Sequence, residues 1–166
     1  MSIIETRRLR LRQMVDADLP EMESLLGDAD VMRYYPAVKS RSEAQAWIDW
    51  NTRNYAEFGF GLWLVETIAG EFVGDCGLTM QTVDGVEQVE VGYHVRRDAQ
   101  GVGYATEAAL ACLEFARARG ISRVIAIINP ANMESQRVAL KCGLVLEKEV
   151  VKGRLQQLVF AASLVE

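Results

Sequence analysis

Strict alternation in Arg8-Leu9-Arg10-Leu11-Arg12 places leucines on one side and arginines on the other, the pattern of a half-buried first strand. From Asp16 the period lengthens. Leu19, Met22, Leu25 and Leu26 share one face of a helix expected to end near Gly27. Ser40-x-x-Glu43 and Ser42-x-x-Gln45 both read as capping boxes for a second helix, which carries Trp47, Ile48, Tyr55 and Phe58 and stops at Gly59. Two apolar runs, Phe60–Thr67 and Phe72–Gln81, turn at Ala69-Gly70, and a further turn at Asp84-Gly85 leads into a strand over Gln88–Arg96. Beyond a glycine-containing loop, Tyr104–Arg119 predicts a helix closed by Gly120. Arg123–Asn129 predicts a strand buried on both faces. Asn132 opens a short helix to about Cys142, ended by Gly143. Leu144–Val151 and Leu155–Leu164 form a last hairpin around Lys152-Gly153-Arg154. The order β-α-α-β-β-β-α-β-α-β-β predicts a three-layer α/β domain with a mixed sheet.

The 166 residues suit one domain, expected to span 1–166, with no linker, repeat or low-complexity segment inside it. A net charge of −5 opposes binding to a phosphate backbone, so no nucleic-acid partner is expected. Cys76, Cys112 and Cys142 are far apart and odd in number. They read as packed thiols in a reducing compartment, without a disulfide framework or zinc site. His94 is the only histidine, which leaves no set of ligands for a His-rich metal site. The first residues hold no apolar run of signal-peptide length, and no stretch is long enough to span a membrane. The expectation is a cytoplasmic protein with no metal and no membrane partner.

The chemistry concentrates between Glu90 and Leu144. Gln100-Gly101-Val102-Gly103-Tyr104-Ala105 joins a strand to a helix. Its glycines permit a tight turn and close backbone approach, and the helix that follows presents unpaired amides and a positive dipole end. Together they form an anion site suited to a pyrophosphate. The loop lacks the Lys-Ser/Thr of a P-loop, and Thr106 stands where a dinucleotide fingerprint has its third glycine.

The loop resembles the Q/R-x-x-G-x-G/A motif of the GNAT acetyltransferase superfamily, with Gln100, Gly103 and Ala105 at its defining positions. Gly103-Tyr104-Ala105-Thr106-Glu107-Ala108, Glu90-Val91-Gly92-Tyr93, Asn132-x-x-Ser135 with Lys141-Cys142-Gly143-Leu144, and Glu5-Thr6-Arg7-Arg8-Leu9-Arg10-Leu11 are similar to segments of the RimJ/RimL-like subgroup of ribosomal-protein N-acetyltransferases. The resemblance implies a single GNAT-type α/β domain, its mixed, mostly antiparallel central sheet splayed between two strands and flanked by helices. It also implies transfer of an acetyl group from acetyl-CoA to a primary amine by direct attack.

By the same resemblance, Gly101, Val102, Gly103, Tyr104, Ala105 and Thr106 would hold the pyrophosphate after Gln100, and His94-Val95-Arg96 would receive the pantetheine arm along a strand edge. An N–H near His94 would polarise the thioester. Asn132 would touch the pantetheine, cap its helix, or both. The implied acceptor is a peptide or protein N-terminal amine. A small-molecule amine (polyamine, amino acid or antibiotic) and a non-catalytic acyl-CoA-binding module are the alternatives. A monomer and a homodimer are both compatible with the sequence.

Acyl transfer needs a deprotonated amine. Glu90, a carboxylate in a central strand, is the candidate base, or else the partner of a first-strand arginine. Many relatives carry a tyrosine acid seven residues after the asparagine, where this chain has Ala139. Ser135 is then the candidate acid, or else supports its helix end. The His94 side chain lines the cleft or acts as a base. Tyr34-Tyr35-Pro36 falls where relatives vary the acceptor pocket, and Trp47 reads as core.

Overall fold

The computed structural model describes residues 2–165. Strands β1 (Ser2–Glu5) and β2 (Leu9–Arg12) lead into helices α1 (Leu19–Leu26) and α2 (Arg41–Phe58). Strands β3 (Leu62–Thr67), β4 (Phe72–Val83) and β5 (Val86–Val95) follow as a meander. Then come helix α3 (Tyr104–Ala118), strand β6 (Arg123–Ile128), helix α4 (Met133–Lys141) and strands β7 (Val145–Lys152) and β8 (Leu155–Ser163). The sheet runs β1-β2-β3-β4-β5-β6-β8-β7. Every neighbouring pair is antiparallel except β5 and β6, which are parallel and share one register pair, Glu90 with Ile125. The expected splay is this gap, which opens beyond Glu90.

The helices divide over the two faces of the sheet. Alternation along β3 sends Trp63 and Val65 into the layer under α3 with Cys112, Leu113 and Ala116. It sends Leu62 and Leu64 to the other face, against Met22, Leu26 and Ile48 of α1 and α2. Cys76 and Cys112 are buried with their sulfurs 3.7 Å apart as free thiols, small apolar groups within the first layer.

Two local signals resolve clearly. Ser40 and Glu43 form a reciprocal capping box, and Gly59 ends α2 in the left-handed conformation at φ 78°. Gln45, the second capping candidate, instead bonds Asp16 and Asp49 from within the helix. Two features differ from the expectation. Strand β1 pairs antiparallel to β2 although Ser2-Ile3-Ile4-Glu5 is too short for a clear period. Helix α1 begins at Leu19, because Pro20 suits a first turn and Asp16–Asp18 form a separate 3-10 turn.

Candidate active site

A cleft of about 380 Å³ lies over the gap between β5 and β6. At one end, Gly101 and Gly103 hold φ of 83° and 88°, where a side chain would be strained. Gly103 is the N-cap of α3 and offers no side-chain cap, so the amides of the first turn have no intrahelical acceptor. Arg137 and Lys141 line the same cleft. Free amides, a helix dipole and two cations fit a polyphosphate, even though the chain as a whole is acidic. The loop is braced from below. The Glu107 carboxylate accepts from Thr6 Oγ1, from Arg8 Nε and from the Arg8 amide, and Arg8 Nη1 reaches the Val102 carbonyl at 2.8 Å. Hydrogen bonds to Glu107 hold its carboxyl below the usual range against the opposing effect of burial.

The strand edge is more selective than expected. The Arg96 amide donates to the Val73 carbonyl at 2.8 Å, and His94 pairs with Asp75 across β4 and β5. Antiparallel alternation therefore turns the main chain of His94 and Arg96 toward β4 and that of Tyr93 and Val95 toward the gap. Gln100 Nε2 donates to the Val95 carbonyl at 2.9 Å, which ties the loop to the strand edge. Of the residues expected at the donor site, His94, Val95, Gln100, Gly101, Gly103, Tyr104, Ala105, Thr106 and Asn132 line the cleft; Arg96 and Val102 do not. Val102 sits exposed at the tip of the loop.

A second cavity, about 220 Å³, adjoins the first and is walled by Glu90, Trp47, Trp50, Thr79 and Gln81. Tyr35, Tyr93, His94 and Ser135 border both cavities. Glu90 faces it from β5 and accepts the Ile127 amide of β6 at 2.8 Å, so its carboxylate bridges the two splayed strands. None of the first-strand arginines pairs with it. Arg8 bonds Glu107, Arg10 bonds Glu5, and Arg12 bonds Asp18 and Glu66. Desolvation raises the Glu90 carboxyl to about 7, and the Ile127 amide, His94 and Lys152 only partly offset it.

On the other side of the junction, the Asn132 side chain accepts the Ser135 amide at 3.1 Å, the N-cap of α4. The Tyr93 hydroxyl lies 2.9 Å from both the Ser135 carbonyl and Ser135 Oγ. A carbonyl only accepts, so Tyr93 donates to it and Ser135 Oγ–H donates to Tyr93. Burial lifts the Tyr93 phenol well above its ordinary range, keeping it neutral.

One constellation was not legible beforehand. His94 Nδ1 lies 2.7 Å from Asp75 Oδ1, and His94 Nε2 lies 2.8 Å from the Tyr35 hydroxyl. The other Asp75 oxygen accepts Trp47 Nε1 at 3.1 Å. Asp75 is 1% exposed, so its carboxylate is satisfied entirely within the protein. Burial pushes the His94 imidazole down, but Asp75, by charge and hydrogen bond, more than reverses this and holds it above its ordinary value. The available signals were an aspartate in an apolar strand and the pair Tyr34-Tyr35.

Comparison with known proteins places this geometry. The acetyltransferase (GNAT) domain family matches residues 8–145. The chain belongs to the GNAT acetyltransferase family. It is 40% identical over 150 residues to the uncharacterized protein YkkB of Bacillus subtilis, covering 89% of this chain and 87% of YkkB. It is 31% identical over 144 residues to the uncharacterized N-acetyltransferase YnaD of the same organism, covering 85% and 81%. Its fold is similar to that of RimL, the ribosomal L7/L12 α-N-protein acetyltransferase solved with coenzyme A. That likeness has a TM-score of 0.80 at 18% identity, over 98% of each chain. As a GNAT protein the chain is an acetyl-CoA-dependent N-acetyltransferase.

Proposed function

We propose that this GNAT protein acetylates an amine of low basicity, an N-terminal α-amine of a peptide or protein, with Glu90 as the base. The observation that carries the reading is Glu90 itself, a carboxyl raised to about 7 in the wall of the smaller cavity, which adjoins the donor cleft through Tyr93 and His94 of the same strand. An α-ammonium titrates near 8 and a lysine near 10.4, so proton transfer to Glu90 is uphill by about 1 kcal/mol for the first and about 5 kcal/mol for the second. A base so tuned suits the weaker amine. RimL, similar in fold, is by its name an α-N-protein acetyltransferase, which agrees with this reading.

In this mechanism the amides at the start of α3, with Arg137 and Lys141, hold the donor's phosphates. Tyr93 and Val95 offer main-chain groups to the pantetheine arm and an N–H to the thioester carbonyl, which gains negative charge as the amine attacks. Glu90 takes the amine proton directly or through one water. Asn132 lines the donor cleft while capping α4. Ser135 borders the reacting centre, and its hydrogen bond fixes the Tyr93 phenol. Trp47 and Trp50 form an apolar wall that excludes water from the amine.

The test is a peptide that begins with alanine and carries one internal lysine, incubated with acetyl-CoA and the enzyme. Fragment masses then locate the acetyl group. Acetylation on the α-nitrogen, in at least tenfold excess over the lysine, is the expected result. Preference for the lysine, or for spermidine over the peptide, would redirect the reading to a small or strongly basic amine.

A further inference from the structure

Tyr35 stands on the connection between α1 and α2, yet it borders both cavities. Its hydroxyl is the outer end of a hydrogen-bonded chain that runs through His94 to Asp75, with contacts of 2.8 and 2.7 Å. The chain is anchored at its inner end, because Trp47 Nε1 fixes the second Asp75 oxygen. The rings pack as well: Tyr35 lies 5.2 Å and Trp47 lies 5.9 Å from His94, centroid to centroid. Side-chain hydrogen bonds and ring contacts thus link the three groups, from a sealed carboxylate to the junction of the two cavities.

We infer that Asp75, His94 and Tyr35 form a proton relay that delivers a proton from the Tyr35 hydroxyl to the departing thiolate of coenzyme A. The inference rests on the acetyl-transfer reading of the site but not on the choice of acceptor. The other two hydroxyls that border both cavities are less suited to the task, since Ser135 Oγ–H is already given to Tyr93 and the Tyr93 O–H to the Ser135 carbonyl. The position where many relatives hold a tyrosine acid is Ala139 here, and it is buried.

With His94 doubly protonated, Nδ1–H donates to Asp75 and Nε2–H donates to the Tyr35 oxygen. This leaves the Tyr35 O–H free to donate into the cavity. The step then balances. The amine nitrogen bonds to the thioester carbon, and the carbon–sulfur bond breaks with its electron pair going to sulfur. Sulfur takes the Tyr35 proton, and the Tyr35 oxygen takes the proton from His94 Nε2. Neutral His94 remains bonded to Asp75 and regains its proton from solvent after release, while the amine proton leaves through Glu90. Tyr35 is 46% exposed, but its hydroxyl is turned inward onto His94. Burial of that end and the nearby charges of Glu90 and Asp75 raise the phenol, so a free tyrosinate does not persist and the two transfers are coupled. The charged groups that bear on His94 are Asp75 from β4, Glu90 from β5 and Lys39 from the segment before α2; the first two favour its charged form and Lys39 opposes it.

The relay is read on release of coenzyme A thiol from acetyl-CoA, with the alanine peptide and with spermidine, so a change of acceptor leaves the test intact. Tyr35→Phe is expected to lower kcat roughly 10- to 100-fold with KM for acetyl-CoA and melting temperature nearly unchanged. Asp75→Asn is expected to lower kcat too, and the double variant to be no slower than the slower single one. A kcat within twofold of wild type in Tyr35→Phe, or losses that multiply in the double variant, would overturn the relay. Should Asp75→Asn fail to fold, nitrogen NMR of untagged wild type supplies the second reading, because His94 is the only histidine. Both ring nitrogens protonated at pH 7 is the expected state, and a neutral ring there would refute the mechanism.

Discussion

Glu90→Gln lowers kcat with an α-amine peptide by roughly 10²- to 10⁴-fold and leaves acetyl-CoA affinity within about twofold. Glutamine keeps the shape and still accepts the Ile127 amide through its carbonyl oxygen, but it cannot take a proton. Steady-state kinetics, with donor binding measured separately by calorimetry, check both halves. The same substitution is expected to stabilise the fold at pH 8. The folded carboxyl titrates near 7 and its ordinary value is 4.5. Between those values the folded chain binds more protons than the unfolded one, so stability falls as pH rises through this window. The displacement corresponds to about 3 kcal/mol at full effect. Glutamine removes this penalty, so the variant melts above wild type at pH 8 and level with it near pH 4. A residue that slows the enzyme when removed and strengthens the fold marks a strand position held for chemistry.

Gly74→Ala destabilises the protein and disorders the site together. A Cβ at position 74 would stand 1.9 Å from the His94 carbonyl oxygen, a backbone atom that cannot rotate away. Strands β4 and β5 must separate there, next to the Asp75–His94 contact. Forced repacking of this kind costs about 3 kcal/mol. For a chain of this size, that is a fall in melting temperature of about 6–12 °C. Thermal unfolding checks the first consequence, and loss of acetyl-CoA binding in the folded fraction checks the second.

What the sequence disclosed follows from how local each feature is. The Gln100–Thr106 loop, the Ser40/Glu43 cap, the Asp84-Gly85 turn and the strand alternation that sets Glu90 and His94 on one face are written in neighbouring residues. The sheet splay was reached only through resemblance, because a gap between β5 and β6 depends on elements far apart in the chain. Strand β1 escaped because an edge strand of four residues buries too little to impose a period. The relay escaped for a stronger reason. Tyr35 is 59 positions and Asp75 is 19 positions from His94, and only the sheet register and the docking of α2 bring them together. Val102 was assigned by its place in the loop motif and Arg96 by its place on the strand edge; Val102 stands exposed at the loop tip, the Arg96 amide is taken by the Val73 carbonyl, and neither lines the cleft.

The most direct test of Glu90 as the base is the pH dependence of kcat/KM for the alanine peptide, measured for wild type and Glu90→Gln from pH 5 to 9. The predicted wild-type profile has an acid limb bending near 7, where the carboxyl titrates. In the variant that limb is gone, and the much lower rate rises only as the amine itself loses its proton, near about 8. Superimposable profiles of similar height would contradict the assignment of Glu90 as the base.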